Sequence, residues 1–255
     1  MDLGIRGKVA VITGASEGIG KAIAAKIALE GAKVAICGRR RIEIDRAADE
    51  IRESANTNDV ISFSGDMSDK NDVRTFMEQA IERFKTVHIL VNNVGRAQLG
   101  LFNDLSEEDW RAAFGANLAA AIYCTKASLP YMKKQRWGRI INVASMSGKE
   151  PTVGTISSNS AKSALISLSK TLAIEVARDG ILVNCVCPGR ILSAQALRLQ
   201  SPEERERIAS ANIPAGRFGE PEEVANLVAF LASECSSYIV GTAILVDGGM
   251  AKGLH

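Results

Sequence analysis

The run Val9-Ala10-Val11-Ile12-Thr13-Gly14-Ala15-Ser16-Glu17-Gly18-Ile19-Gly20 joins an apolar, β-branched stretch to a glycine-rich turn. Lys21-Ala22-Ile23-Ala24-Ala25-Lys26-Ile27-Ala28-Leu29-Glu30-Gly31 follows, with apolar residues at helical spacing and a glycine at its end. A strand that passes through Gly-x-x-x-Gly-x-Gly into a helix reads as the first half of a βαβ unit. The glycines permit a tight turn, let backbone amides approach a pyrophosphate and allow close helix–strand packing. The helix N-terminus adds N–H donors and a partial positive charge. This spacing departs from the more familiar Gly-x-Gly-x-x-Gly, so its placement between strand and helix carries the reading. Gly14, Ser16, Gly18, Ile19 and Gly20 are therefore expected to cradle the phosphates of a dinucleotide.

The same alternation continues outward from this turn. Strands are expected at 9–13, 33–37, 60–64, 88–92, 139–143, 182–186 and 243–246, and helices at 18–30, 41–54, 70–84, 107–134, 159–178 and 222–232. The strands are almost continuously apolar, as required when helices cover both faces of a sheet. Helix starts are marked by Ser68-Asp69, Ser106-Glu107-Glu108-Asp109 and Pro221-Glu222-Glu223. The expected fold class is α/β, a Rossmann-like, doubly wound, seven-stranded parallel sheet with right-handed crossovers. A chain of 255 residues, 46% hydrophobic, can bury one substantial core, and no linker or repeat divides it. A single domain over 1–255 is expected. The charged segment 193–214 interrupts the rhythm after the sixth strand, where ligands of open α/β folds bind. A substrate lid at about 190–214 is the reading.

Charge and cysteine content narrow the function classes. Lys+Arg number 31 against 29 Asp+Glu, interspersed, for a net charge of +2, so a nucleic-acid partner is not expected. Asp2, Arg6 and Lys8 stand where an apolar signal core would lie, and no run approaches a membrane span. The chain reads as soluble and cytoplasmic, with no membrane partner. Cys37, Cys124, Cys185, Cys187 and Cys235 form no CxxC. They read as small hydrophobes, and no metal is expected.

The second strand ends Ala35-Ile36-Cys37-Gly38-Arg39-Arg40-Arg41. An acidic residue at this place accepts the ribose hydroxyls of NAD, whereas arginine clamps a 2′-phosphate through its planar fork. Arg39 and Arg40 thus predict NADP (NADPH) in preference to NAD. Glu17, in the cradle, is a mild counter-signal.

Taken together these segments resemble the short-chain dehydrogenase/reductase family, in its branch of 3-oxoacyl-carrier-protein reductases, over nearly the whole chain. The likeness rests on Thr13-Gly14-x-x-x-Gly18-x-Gly20, Gly65-Asp66-Met67, Asn92-Asn93-Val94-Gly95, Ile140-Ile141-Asn142-Val143-Ala144-Ser145, Pro188-Gly189-Arg190-Ile191-Leu192-Ser193 and the ending Val246-Asp247-Gly248-Gly249. The resemblance implies that Asp66 and Met67 meet the adenine, that Asn92 and Gly95 stabilise the strand beside the cofactor, and that Pro188, Gly189, Ile191 and Ser193 grip the nicotinamide carboxamide. It also implies Asn117 as the active-site asparagine, Ser145 as the catalytic serine, Lys162 on the nicotinamide ribose, and a homo-oligomer, tetramer or dimer, acting on a small molecule.

One departure matters. The family uses Tyr-x-x-x-Lys, and counting back from Lys162 places Ser158 where the tyrosine is expected. A phenol, with a pKa of about 10, can be tuned by a neighbouring ammonium; an aliphatic hydroxyl is a far weaker acid. General acid–base catalysis is worth about 10²–10⁴-fold, so Ser158 in that role predicts slow turnover or a water-mediated proton. Tyr123, Tyr131 and Tyr238 read as packing or interface residues, and His88 and His255 are poorly placed to substitute. Arg96 reads either as a pocket residue for an acidic substrate or as an ordinary exposed loop arginine. The expected activity is NADP-dependent hydride transfer to a ketone or 3-oxoacyl carbonyl with altered acid–base machinery. The alternatives are an enoyl or dienoyl thioester reductase, since some family members acting on dienoyl thioesters share Ser-Ala-Lys, and a cofactor-binding protein with little redox turnover.

Overall fold

The computed structural model describes residues 1–254, apart from the side chains of Ala194, Gln195 and Leu199; the expectation for His255 lies outside the described residues. Seven strands, β1 (Val9–Thr13), β2 (Lys33–Gly38), β3 (Val60–Ser64), β4 (Ile89–Asn92), β5 (Gly138–Val143), β6 (Ile181–Pro188) and β7 (Ala243–Val246), form one sheet in the order β3-β2-β1-β4-β5-β6-β7. Every pairing is parallel. The chain winds outward from β1 to β3, then returns to β4 beside β1. That reversal opens a crevice at the carboxyl ends of β1 and β4, where an open α/β sheet binds its ligand.

Strand side chains divide between two cores. Ala10, Ile12, Val34 and Ile36 pack with Ile23 and Ile27 of α1 (Gly18–Leu29), Ile44 and Ile51 of α2 (Arg41–Ser54), and Val224 and Val228 of α9 (Pro221–Leu231). Val9, Val11, Ala35 and Leu90 face the opposite way, onto Phe76 and Ala80 of α3 (Lys70–Phe84) and Cys124 and Met132 of α5 (Ala120–Gln135). The period-two alternation within fully apolar strands is what covers both faces. Each completely buried isoleucine here contributes about 1.5–3 kcal/mol of transfer free energy.

The predicted helix 107–134 is interrupted. It runs as α4 (Glu107–Phe114), a π-helical turn (Gly115–Ala119) and α5. The extra residue per turn falls at Asn117, whose amide leaves the helix surface to bond a neighbouring loop, an arrangement π turns favour at functional sites. The helix predicted at 159–178 begins earlier, as α6 (Ile156–Val176), which sets Ser158 and Lys162 one turn apart on the same helix. The segment after β6 forms α7 (Ala194–Leu199) and α8 (Pro202–Asn212), opened by Ser193 and Ser201 as N-caps.

A polar seam crosses the middle of the sheet. Asn92 Nδ2 of β4 donates to Asn142 Oδ1 of β5 at 2.8 Å and to Thr125 Oγ1 at 3.3 Å. Asn142 Nδ2 donates to Ser169 Oγ at 2.7 Å, and Cys185 Sγ of β6 reaches the same hydroxyl at 3.0 Å. Cys185 and Cys187 are fully buried thiols within the apolar core. No helix among the described residues is long and apolar enough to cross a membrane.

Candidate active site

The glycine turn lies against the start of the loop after β4. Gly14 and Gly18 adopt φ of +66° and +57°, backbone that L side chains rarely enter. A Cβ on Gly20 would stand 2.2 Å from Gly14 O and 2.5 Å from Asn93 Nδ2, so only glycine lets the helix start this close to the turn. Asn93, which sequence reasoning passed over, ties the two halves of the switch point together. Its Nδ2 donates to Gly14 O at 2.8 Å, and its backbone N–H donates to Thr13 Oγ1 at 3.0 Å. An asparagine following the last strand residue was the signal available for it.

Two cavities share this turn. One, of about 300 Å³, is lined by Gly14, Ser16, Arg39, Asp66 and Met67 among others. The second, of about 440 Å³, contains Gly18, Asn117, Ser145, Ser158, Lys162 and Ser193 on its walls, with Ile19, Gly20, Pro188 and Gly189. Glu17, Asn93, Gly95 and Arg96 border both. Three expected cofactor residues stand back from these walls. Asn92 is turned into the polar seam, Ile191 is buried in the core, and Arg40 reaches away to Glu43 at 3.1 Å and Glu17 at 3.6 Å. The groove fits a dinucleotide: its floor is glycine where a Cβ would intrude, its amides come from a helix start, and Arg39 flanks one end.

Glu17 is held from across the groove. Arg198 of α7 donates to both its oxygens, at 2.8 and 3.2 Å. These bonds keep the Glu17 carboxyl below its ordinary range, against the opposing effect of partial burial, with a smaller contribution from Arg40. The residue that looked like an obstacle to a phosphate is thereby neutralised.

The reacting end is built from three elements. Ser145 follows β5 in extended conformation, its Oγ accepting from Ser147 N at 3.2 Å and lying 3.0 Å from Ser147 Oγ. Asn117 donates through Nδ2 to Arg96 O and Ala113 O, both at 2.9 Å, while its Oδ1 accepts from Arg96 N at 3.2 Å. Lys162 is 8% exposed and donates from Nζ to Val143 O at 2.8 Å. Burial pulls its ammonium down to about 8, outweighing small opposing effects of Cys185 and Cys187. A methyl on Gly95 would sit 2.9 Å from Asn117 Oδ1 and 3.1 Å from Lys162 Nζ, so glycine keeps that space open between them.

Ser158 lines the cavity, yet its hydroxyl is occupied. It accepts from Gln98 N at 2.9 Å and donates to Arg96 O at 3.2 Å. Asn117 and Ser158 together pin the loop 96–98 from two helices. None of the tyrosines reaches this cavity: Tyr123 and Tyr131 face the groove between α3 and α5, and Tyr238 is fully exposed. His88 accepts from Val9 N at 3.0 Å at the opposite, amino end of the sheet.

A protein family described as enoyl-(acyl carrier protein) reductase matches residues 14–251. The chain belongs to the short-chain dehydrogenase/reductase family. It is thus similar to the 3-oxoacyl-[acyl-carrier-protein] reductase FabG of Aquifex aeolicus, with 39% identity over 98% of this chain and 100% of that one. The FabG of Thermotoga maritima is 37% identical over 96% and 98% of the two chains. Among solved structures, the L-sorbose reductase of Gluconobacter frateurii complexed with NADPH and L-sorbose superposes with a TM-score of 0.96 at 36% identity, covering both chains fully. As a short-chain dehydrogenase/reductase this protein is an oxidoreductase, and its seven-stranded sheet is the family's Rossmann-like fold.

Proposed function

We propose that this short-chain dehydrogenase/reductase reduces a carbonyl, a ketone or 3-oxoacyl thioester, with NADPH preferred over NADH. The observation that carries this reading is the single cavity in which the glycine cradle meets Ser145, Asn117 and Lys162. NADPH, when bound, supplies the hydride. Gly14, Gly18 and Gly20 would take the pyrophosphate, and Arg39, which borders the same groove as Asp66, would take the 2′-phosphate through its fork. Ser145 orients the substrate oxygen through its hydroxyl, steadied by Ser147. Lys162, held at Nζ by the Val143 carbonyl, places its ammonium on the wall of the same cavity. An acyl chain is favoured over a polyol by the exposed apolar side chains Leu99, Leu101 and Val153, which lie within a few positions in sequence of the lining residues Ala97, Thr152 and Thr155. The segment 190–214 serves as the lid. The protein would act in the cytoplasm and as a homo-oligomer, the second part being supported by the bare Tyr238 and Ile174 on its surface.

NADPH consumption followed at its near-ultraviolet absorbance tests the reading, with acetoacetyl and longer 3-oxoacyl thioesters in one arm and ketoses in the other. Turnover on thioesters is expected. No turnover across a broad carbonyl panel, despite saturable NADPH binding, overturns it. The second reading, a cofactor-binding protein with little redox turnover, is favoured by one observation: the Ser158 hydroxyl is committed to the 96–98 loop. Ser158→Tyr discriminates between them, since a silent wild type and an active variant would support that second reading.

A further inference from the structure

The proposed carbonyl reduction, on which the following rests, needs a proton as well as a hydride. Among the described residues that line the reacting cavity, the titratable groups are Glu17, Arg96, Lys162 and Arg190. Arginine keeps its protons past pH ~12. Glu17 accepts from Arg198 at both carboxylate oxygens, which holds its carboxyl below the ordinary range and leaves it no proton to give. The Ser158 proton is directed at Arg96 O, and an aliphatic hydroxyl gives it up far less readily than an ammonium.

Lys162 differs from all of these. Its ammonium carries three N–H bonds, and one of them goes to Val143 O. The backbone around Gly95 leaves open the space that Nζ and Asn117 Oδ1 share. Among the described residues no carboxylate shifts it. From β6 it is faced by Cys185 and Cys187, whose thiols burial pushes up to about 12 and about 11, so both are neutral; from the loop after β4 it lies beside Gly95; from β5 it bonds the Val143 carbonyl, with Ser145 on the same cavity wall.

We propose that the Lys162 ammonium is itself the acid of this site, delivering an Nζ proton through one bridging water to the substrate oxygen held at Ser145. The balance is simple. As the carbonyl carbon takes the hydride, the π electron pair moves onto oxygen. That oxygen forms an O–H bond with a proton of the water, and the water recovers a proton from Nζ. The N–H bond breaks with its electron pair left on nitrogen, and solvent then reprotonates the amine. The desolvated lysine is well suited to this, because a general acid works best with a pKa near the operating pH, and burial brings Lys162 to about 8. The same carbonyl of Val143 that orients Nζ keeps it from swinging out of the cavity.

Two measurements test this, one without cofactor or substrate. Competitive reductive methylation of the unliganded protein across a pH series, read by mass spectrometry, is expected to show Lys162 reactivity rising with a midpoint near 8. A Lys162 midpoint above pH ~10 overturns the inference. In the second, kcat/KM for reduction should fall about tenfold per pH unit above the Lys162 midpoint. In Ser158→Tyr that falling limb should move upward, because a phenol then supplies the proton. Lys162→Arg keeps the charge but cannot deprotonate, and is expected to lose at least ~10²-fold in kcat while NADPH still binds by calorimetry. Should that variant not fold, the methylation midpoint and the wild-type pH limb decide alone. A panel without any turnover overturns the reductase reading together with this inference; a kcat/KM that stays flat with pH through the methylation midpoint overturns the inference only.

Discussion

Ser158 is bonded to Gln98: the Gln98 backbone N–H donates to Ser158 Oγ at 2.9 Å, and the same hydroxyl donates to Arg96 O. The serine therefore acts as a clasp on the loop that walls the cavity. Ser158→Ala removes one partner from each of two backbone groups and should cost about 1–2 kcal/mol of stability, measured by urea unfolding. Turnover should fall less than ~10-fold, well short of the ~10²–10⁴-fold expected for loss of a general acid. A larger loss in kcat would return Ser158 to the chemistry.

Arg39 borders the groove beside Asp66, whereas Arg40 is drawn into ion pairs with Glu17 and Glu43. On the proposed reading the first, not the second, takes the 2′-phosphate. Arg39→Ala should weaken NADPH binding by about 10–100-fold, the worth of a charge-assisted contact to phosphate, while NADH affinity moves less than ~3-fold. Arg40→Ala should leave the NADPH/NADH ratio nearly unchanged. Fluorescence titration with both dinucleotides measures each effect.

Arg198 on α7 and Glu17 in the glycine turn are 181 positions apart in sequence and form a two-point ion pair. Both are solvent-exposed, so the pair is screened by salt. Arg198→Ala should speed thermolysin cleavage within 193–214 by about fivefold, through easier local opening. High salt should reproduce the effect in the wild type and add nothing in the variant. Equal cleavage rates would remove the pair as a tether.

His88 titrates in the folded protein near 4 rather than 6.5, first because of burial and second because of the Lys8 charge. Its ring nitrogen accepts from Val9 N, which requires the neutral form. The unfolded chain therefore binds more protons between those two values. Stability from this group is complete above pH 6.5 and is lost as the pH falls towards 4. After allowance for partial exposure the loss is about 2 kcal/mol. His88→Asn keeps an acceptor for Val9 and should flatten that part of the urea-midpoint profile; an unchanged profile would assign the acid sensitivity elsewhere.

Much of the architecture is written locally. The β1–α1 turn, the apolar strands and the helix caps specify their own elements, so the sheet follows from the alternation of strand and helix. The break at Asn117 does not, because 107–134 keeps an unbroken helical pattern and the π turn is set by the amide's bonds to Arg96 across space. The cavity was half legible. Lys162, Ser145 and the glycines stand on their motifs and on the cavity wall together. Asn92, adjacent to Asn93 in the same motif, turned inward because a strand residue one position earlier faces the opposite side of the sheet. Nothing in the local pattern at 158 revealed that its hydroxyl would be spent on a loop 60 positions away, nor that Glu17 would be paired from α7.

The seam from Asn92 through Asn142 and Ser169 to Cys185 bears on how the chain finds its alignment. Parallel strands of Val, Ile and Leu are nearly interchangeable by one pleat, and dispersion alone discriminates poorly between neighbouring offsets. Asn92 lies opposite Asn142, and Asn142 opposite Cys185. Sliding β5 by a single residue would press Asn92 against Ile141 or Val143 and strand amides in a dry interior, at about 1–3 kcal/mol for each unmet group. These few polar atoms thus serve as an indexing pin: they make the misaligned sheets expensive, and the cavity at the strand ends inherits its geometry from that choice.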